Sequence, residues 1–460
     1  MSTPNTNGND SRLSFWRRVR EFAVPPSMIE TATARRRVGD WAGACAAAGF
    51  DIDIDIRALA RTRGRVVAEQ VGADLRHLAP DLLRWHMPRV APDGLLRPGL
   101  TLALARYDPP DTHGSSRGGG PLELVVRTAP AWADAGQRIA LALWDGSFSG
   151  RHPHPRPDRR FRLDLHRHLW DARRVDELPI RSGAGGFPHN GSAAREFADI
   201  VPAGCAVDRW AAEAAILFHA EGRAPGPLRV RFGGRRELVV EPCRDGADPP
   251  ALRVTEAYSR GGVTALPVLP DAATWELPDL RLLRAGVLTA DRLHPLVADA
   301  LVPSRPPLAA QPYPDPADRP FLVECRGEQH RIGLVDGVLA ALDHDPAEIR
   351  REELLAALTG RPLPCLRAID RAHRQPDCLT GVRERLEYGD IAGALAVVEG
   401  LLGSGAVLRT GPLREALETS ARRRVTYGLF RAGLTGYGPM RNWAGRPKDR
   451  RAHPRHATML

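Results

Sequence analysis

LTLALARY (100–107), LELVVR (122–127) and IALALW (139–144) are the runs on which the fold class turns. Each is short and rich in aliphatic residues. Each is also closed off by breakers, the Pro/Ser/Gly stretch 108–120 and the His/Pro/Arg stretch 146–160, so short strands are expected rather than helices. FRLDL (161–165) continues the pattern as a fourth candidate strand.

Outward from this β-rich centre the period changes to that of helices. Upstream, Leu13, Phe15, Trp16, Val19 and Phe22 mark a short amphipathic helix stopped by Pro25 and Pro26. A second helix is expected from Ser27 to Ala48, with Gly49 as its stop. DIDIDI (51–56) alternates, and helical spacing then returns through Val67, Val71, Leu75 and Leu78 to Trp85. Downstream come a helix from Asp208 to Glu221 and a hairpin, 228–232 with 235–240, turning at Gly233-Gly234.

Seven prolines between Val302 and Pro320 read as a stiff connector. Beyond them, Phe321 to Val335 reads as a hairpin turning at Arg326-Gly327. A helix follows from the Asp345 cap, with Pro346 at its first position and Glu348 completing a capping box, to Gly360. The expected fold class is therefore α+β and multidomain. It comprises a disordered start (1–11), a helical section (12–95), a β-rich central domain (96–301), the linker (302–320), a mostly helical domain (321–420) and a basic, aromatic-containing tail (421–460). GDWAGA (39–44) and GDIAGA (389–394) resemble each other, but two copies do not make an array. An Asp cap before a small-residue face explains both.

Composition removes whole classes of chemistry. Lys448 is the only lysine among 65 basic residues. A P-loop, a pyridoxal Schiff base and a protein-kinase strand lysine are thus all missing before residue 448. Arginine stays protonated and does not replace lysine as nucleophile or base. Cys45, Cys205, Cys243, Cys325, Cys365 and Cys378 are scattered without a C-x-x-C pair, so neither a zinc knuckle nor a disulfide framework is expected. No run approaches the roughly 20 apolar residues of a membrane span. The apolar stretch after Arg35-Arg36-Arg37 is too short before Cys45 for a signal core. A cytoplasmic location is expected.

Several constellations invite a functional reading. Asp51, Asp53 and Asp55 would share a strand face suited to Mg²⁺ or Ca²⁺, although a solvated face or a cap at Asp55 explains them more simply. Asp164, His166 and His168 alternate on the expected fourth strand and are the candidate ligands of a divalent metal. Arg156, Arg159, Arg160, Arg162 and Arg167 around them oppose a cation. Ser116, in a literal G-x-S-x-G, sits in a loop and not at a strand-to-helix turn, so it is rejected as a nucleophile. Gly183, Gly185 and Gly186, followed by His189 and Asn190, read as a turn. Cys325 and His330 would face one another across their hairpin as thiol and base, with a buried cysteine as the simpler account.

The strongest clue is the basic tail. From Ala421 to Leu460 there are ten Lys or Arg and one acid, Asp449. Arg422, Arg423, Arg424, Tyr427, Arg431, Arg441, Trp443, Arg446, Lys448, Arg450, Arg451 and Arg455 are the candidate polyanion-binding residues, offering charge and stacking together. The function expected from this is a non-enzymatic cytoplasmic adaptor or scaffold that binds nucleic acid or an acidic protein partner. The alternative is a metal-dependent hydrolase built on the central Asp/His cluster. No cofactor is expected apart from the divalent metal of that alternative.

Overall fold

The computed structural model describes residues 6–108, 121–134, 136–147, 152–184, 197, 200–233, 236–243, 251–255, 265–303, 321–325, 327–335, 338–360, 362–374, 381–402, 411–434 and 458–459. The chain is α+β and divides into two compact units, 1–309 with 435–460, and 310–434. The expected helical section and β-rich centre both fall in the first unit. The proline-rich linker beyond residue 303 lies outside the described residues.

In the first unit, α1 (Thr6–Arg18) begins inside the stretch expected to be disordered and runs into a π-helical turn, Val19–Ala23. The helix expected from Ser27 to Ala48 is two helices, α2 (Pro26–Arg37) and α3 (Trp41–Ala47). Gly39 breaks them apart because its φ of +78° is open to glycine and costly to most other residues. Asp40 then caps α3, its carboxylate accepting from Gly43 N at 2.8 Å. Next come β1 (Phe50–Asp53), α4 (Ile56–Arg63), α5 (Arg65–His77) and α6 (Pro80–Trp85).

The three decisive runs form strands as expected: β2 (Thr101–Tyr107), β3 (Leu122–Thr128) and β4 (Ile139–Trp144). They build a four-stranded sheet in the order β1-β4-β3-β2, with β1 parallel to β4 and the other pairs antiparallel. The fourth candidate, 161–165, is not a strand. It touches β2 only through an isolated Ala103–Arg162 bridge, and its buried Phe161 and Leu163 pack in turn geometry. A three-residue 3₁₀ turn follows at Arg167–Leu169.

Helix α7 (Trp210–Ala220) covers a second small sheet, β5 (Leu228–Arg231), β6 (Glu237–Pro242) and β7 (Leu252–Val254), in that order. Trp210, Phe218, Leu228, Val230 and Val240 form its core. The β5–β6 hairpin is present, but Phe232 N donates to Arg236 O, so the loop is longer than two residues. Helices α8 (Pro278–Arg284) and α9 (Pro295–Leu301) end the segment.

These last helices close onto the beginning of the chain. Trp85 Nε1 donates to Asp279 Oδ2 at 2.8 Å, and His294 Nε2 lies 2.9 Å from Asp81 Oδ2. Arg20 donates to the Arg292 carbonyl at 2.8 Å. Trp16 and Trp85 pack ring to ring with centroids 5.1 Å apart.

The second unit opens with an antiparallel three-stranded sheet, β8 (Phe321–Cys325), β9 (Glu328–Val335) and β10 (Val338–Ala341). Cys325 pairs with Glu328, leaving the two-residue turn expected, and Gly327 takes a φ of +85°. Helix α10 (Pro346–Thr359) has the expected ends: Asp345 accepts from Ala347 N at 2.9 Å, and Gly360 is left-handed. Helices α11 (Pro364–Arg374), α12 (Val382–Tyr388), α13 (Ile391–Leu402) and α14 (Pro412–Ala432) complete it. Among the described residues, no helix is long and apolar enough to cross a membrane.

Candidate functional site

The central Asp/His candidates are not brought together as metal ligands. Without a strand at 161–165 they share no face; Asp164 and His166 are engaged elsewhere, and His168 is buried with its Nδ1 unpartnered. Arg162 grips the Asp164 carboxylate through Nε and Nη2 at 2.8 to 3.1 Å. Both ring nitrogens of His166 face protein oxygens, the Arg162 carbonyl at 2.8 Å and Glu213 Oε2 at 3.1 Å, so neither is turned toward the other two candidates. Burial pushes the Glu213 carboxyl up, but hydrogen bonds from His166 and Arg181 outweigh it and hold that group well below the usual carboxylate range. His168 is buried beside His166, and desolvation drives its pKa well below the ordinary imidazole value.

The neighbouring His152 has a packing role. Its Nε2 meets the Thr128 carbonyl at 2.9 Å and its Nδ1 lies near the His154 backbone, tying the His/Pro-rich loop to the end of β3. Asp171, also near the cluster, belongs to a different network. Arg167 and Arg173 each bridge Asp171 and Asp74, and the Tyr107 hydroxyl donates to Asp74 at 2.8 Å.

The early acids separate in the same way. Asp51 is held by Arg138 through two bonds of 2.8 and 2.6 Å. The strand ends at Asp53, and Asp55 caps α4 by accepting from Arg57 N and Ala58 N. Ser116, Gly185, Gly186, His189 and Asn190 lie outside the described residues, whereas Gly183 ends a short helix in the left-handed region.

The second unit contains a cluster that spacing alone did not reveal. The register places Val323, Cys325, His330, Ile332, Leu339 and Ala341 on one face of the β8-β9-β10 sheet. Helix α11 lies over that face with Cys365, Ala368, Ile369 and Ala372, the i, i+3, i+4, i+7 stripe of a buried helix side. Cys325 and Cys365 are both fully buried there. His344, in the turn after β10, points its Nε2 at Cys365 Sγ from 3.5 Å. One ligand atom from each of Cys325, His344 and Cys365 lies within 4.8 Å of the others.

Local structure fixes His344. Its neighbour Asp343 accepts from Arg331 N at 2.7 Å and from the Arg331 guanidinium at 2.6 Å, while Asp345 is committed to the α10 cap. The His330 ring stacks on His344 with centroids 4.1 Å apart and planes 16° apart. Its Nδ1 is buried without a hydrogen-bond partner. Burial first, and the adjoining Cys325 thiol second, push the Cys365 thiol up to about 12. Of these four residues, only Cys325 and His330 were expected to face one another, and the register instead sets Cys325 opposite Glu328 and His330 opposite Val323. The available signal was the α11 stripe beginning at Cys365, which marks that cysteine as facing a partner surface.

The basic residues divide between described and undescribed chain. Arg422, Arg423, Arg424, Tyr427 and Arg431 belong to the last half of α14, so this part of the tail is helical. Arg422, Arg423 and Arg424 are exposed, and Arg422 lies 3.6 Å from Glu418. Tyr427 is buried and is thus unavailable for stacking on a ligand. Arg441, Trp443, Arg446, Lys448, Arg450, Arg451 and Arg455 lie outside the described residues.

Compared with known proteins, the chain matches no family model, no curated protein and no solved structure.

Proposed function

We propose that this chain is a non-enzymatic cytoplasmic adaptor that engages a polyanion, nucleic acid foremost, through the basic segment starting on α14. The observation carrying the reading is the charge pattern on a defined helix. Arg422, Arg423 and Arg424 stand exposed on α14, and no acid occurs between Glu418 and Asp449. A single-signed run of this kind attracts phosphate by counterion release. Support for the adaptor part comes from α10, which buries no residue and exposes Leu354, Leu355 and Leu358. Surface leucines clustered on one helix are characteristic of segments that meet other macromolecules.

The test compares binding of DNA and RNA by the full chain, a chain ending at Leu434, and an Arg423→Gln/Arg424→Gln variant. Ending the chain at Leu434 leaves α14 whole, whereas a cut at Ser420 would divide it. Both changes should weaken binding, and the salt dependence of log K should flatten by about one per lost phosphate contact. Equal affinity across all three proteins would remove the proposal.

A further inference from the structure

We propose that Cys325, His344 and Cys365 bind a zinc ion that ties the end of β8, the turn after β10 and the first turn of α11 into one unit. The donor chemistry is selective, since two thiolates and an imidazole favour zinc over the hard cations that prefer oxygen. The geometry fits as well. With Zn–S near 2.3 Å and Zn–N near 2.0 to 2.1 Å, the sulfur-to-nitrogen edge of a tetrahedron is about 3.6 Å. The separation between Cys365 Sγ and His344 Nε2 is 3.5 Å.

The surrounding core explains the need for such a tie. The buried members around the cluster are Cys325, Ile332, Leu339, Cys365 and Ala372, with no aromatic among them. Small cores of this composition are commonly reinforced by a structural metal. Among the described residues no fourth protein donor joins the three. The ring of His330 stacks on His344 and is the neighbour of the site, not a ligand. Its Nδ1 is buried without a hydrogen-bond partner beside the three ligands.

The ligands precede α14, so this inference and the polyanion reading fail independently. The experiment uses the full chain, reduced, stripped with chelator and titrated with Co²⁺. A thiolate-to-cobalt charge-transfer band should saturate near one equivalent and disappear on adding one equivalent of Zn²⁺. Cys325→Ser and Cys365→Ser should each lose most of the band, and His344→Ala should weaken cobalt binding by at least tenfold. His330→Ala should retain the wild-type stoichiometry.

If the cysteine variants fail to fold, the wild-type titration decides, together with zinc content of the unstripped protein and its release by thiol alkylation. A reduced, folded wild-type chain that takes up no cobalt overturns the proposal. So does a Cys325–Cys365 disulfide in the protein as isolated, or a band that survives the loss of both cysteines.

Discussion

The indole of Trp85 and the carboxylate of Asp279 meet in the interior, 194 residues apart in sequence, through a hydrogen bond of 2.8 Å. Asp279 is fully buried, and its other oxygen, Oδ1, has no hydrogen-bond partner. The indole therefore supplies an important part of the compensation that a buried carboxylate requires. Trp85→Phe keeps most of the ring packing but deletes that donor. It is expected to lower stability by about 1 to 3 kcal/mol, read as a lower denaturant midpoint. An unchanged midpoint would show that the bond contributes nothing net.

Acid sensitivity should come partly from buried histidines. Desolvation lowers the pKa of His86 from 6.5 to about 4, and His168 shifts the same way. At His86 the unfolded chain takes up a proton near pH 6.5 that the folded chain refuses until near pH 4. Stability is thus fully present above pH 6.5 and declines as pH falls through that window. For His86 the loss between pH 7 and pH 5 is about 2 kcal/mol. Denaturant midpoints at the two pH values should differ less in a His86→Gln/His168→Gln protein than in wild type, whatever their absolute values.

The two Gly-Asp corners give a prediction internal to the chain. A Cβ at Gly43 would clash with the Asp40 carboxylate, and one at Gly393 with the Asp390 carboxylate. Either Ala substitution displaces the carboxylate that caps the helix and should cost about 1 kcal/mol or more. Gly400, on α13, has nothing within 4 Å of an added Cβ. Gly400→Ala should instead be neutral or stabilising by up to about 1 kcal/mol. Thermal melts of the three variants compare them directly.

The Asp74–Asp171 network can be probed at its rim. Tyr107→Phe removes a single donor from Asp74, which keeps Arg167 and Arg173, so a loss of about 1 kcal/mol is expected. Asp171→Ala deprives both arginines of their fully buried partner and should cost more than Tyr107→Phe. Equal losses from the two changes would contradict the assigned connectivity.

Local chemistry was legible in the sequence wherever it was sufficient. The α10 ends follow from Asp345, Pro346 and Gly360, and β2, β3 and β4 follow from apolar runs between strong breakers. Reading failed where alternation had another cause. In 161–165 the apolar residues alternate because Phe161 and Leu163 pack inward from a turn, with Trp170 Nε1 bonded to the Leu163 carbonyl at 2.9 Å. The Asp164/His166/His168 pattern inherited that error, and with it the expected metal face. The Cys325/His344/Cys365 cluster was hidden for the opposite reason. Its members come from a strand, a turn and a helix, so register and helix packing create their proximity while their spacing carries no motif.

The closure of the first unit onto its own beginning also has a consequence for synthesis. Asp81 and Trp85 leave the ribosome long before Asp279 and His294, the groups that satisfy them in the finished interior. At about 5 to 20 residues per second, that interval lasts roughly 10 to 40 s. Throughout it the Trp85 ring already has Trp16 to pack on, but its N–H and the Asp81 carboxylate lack the partners they meet in the finished interior.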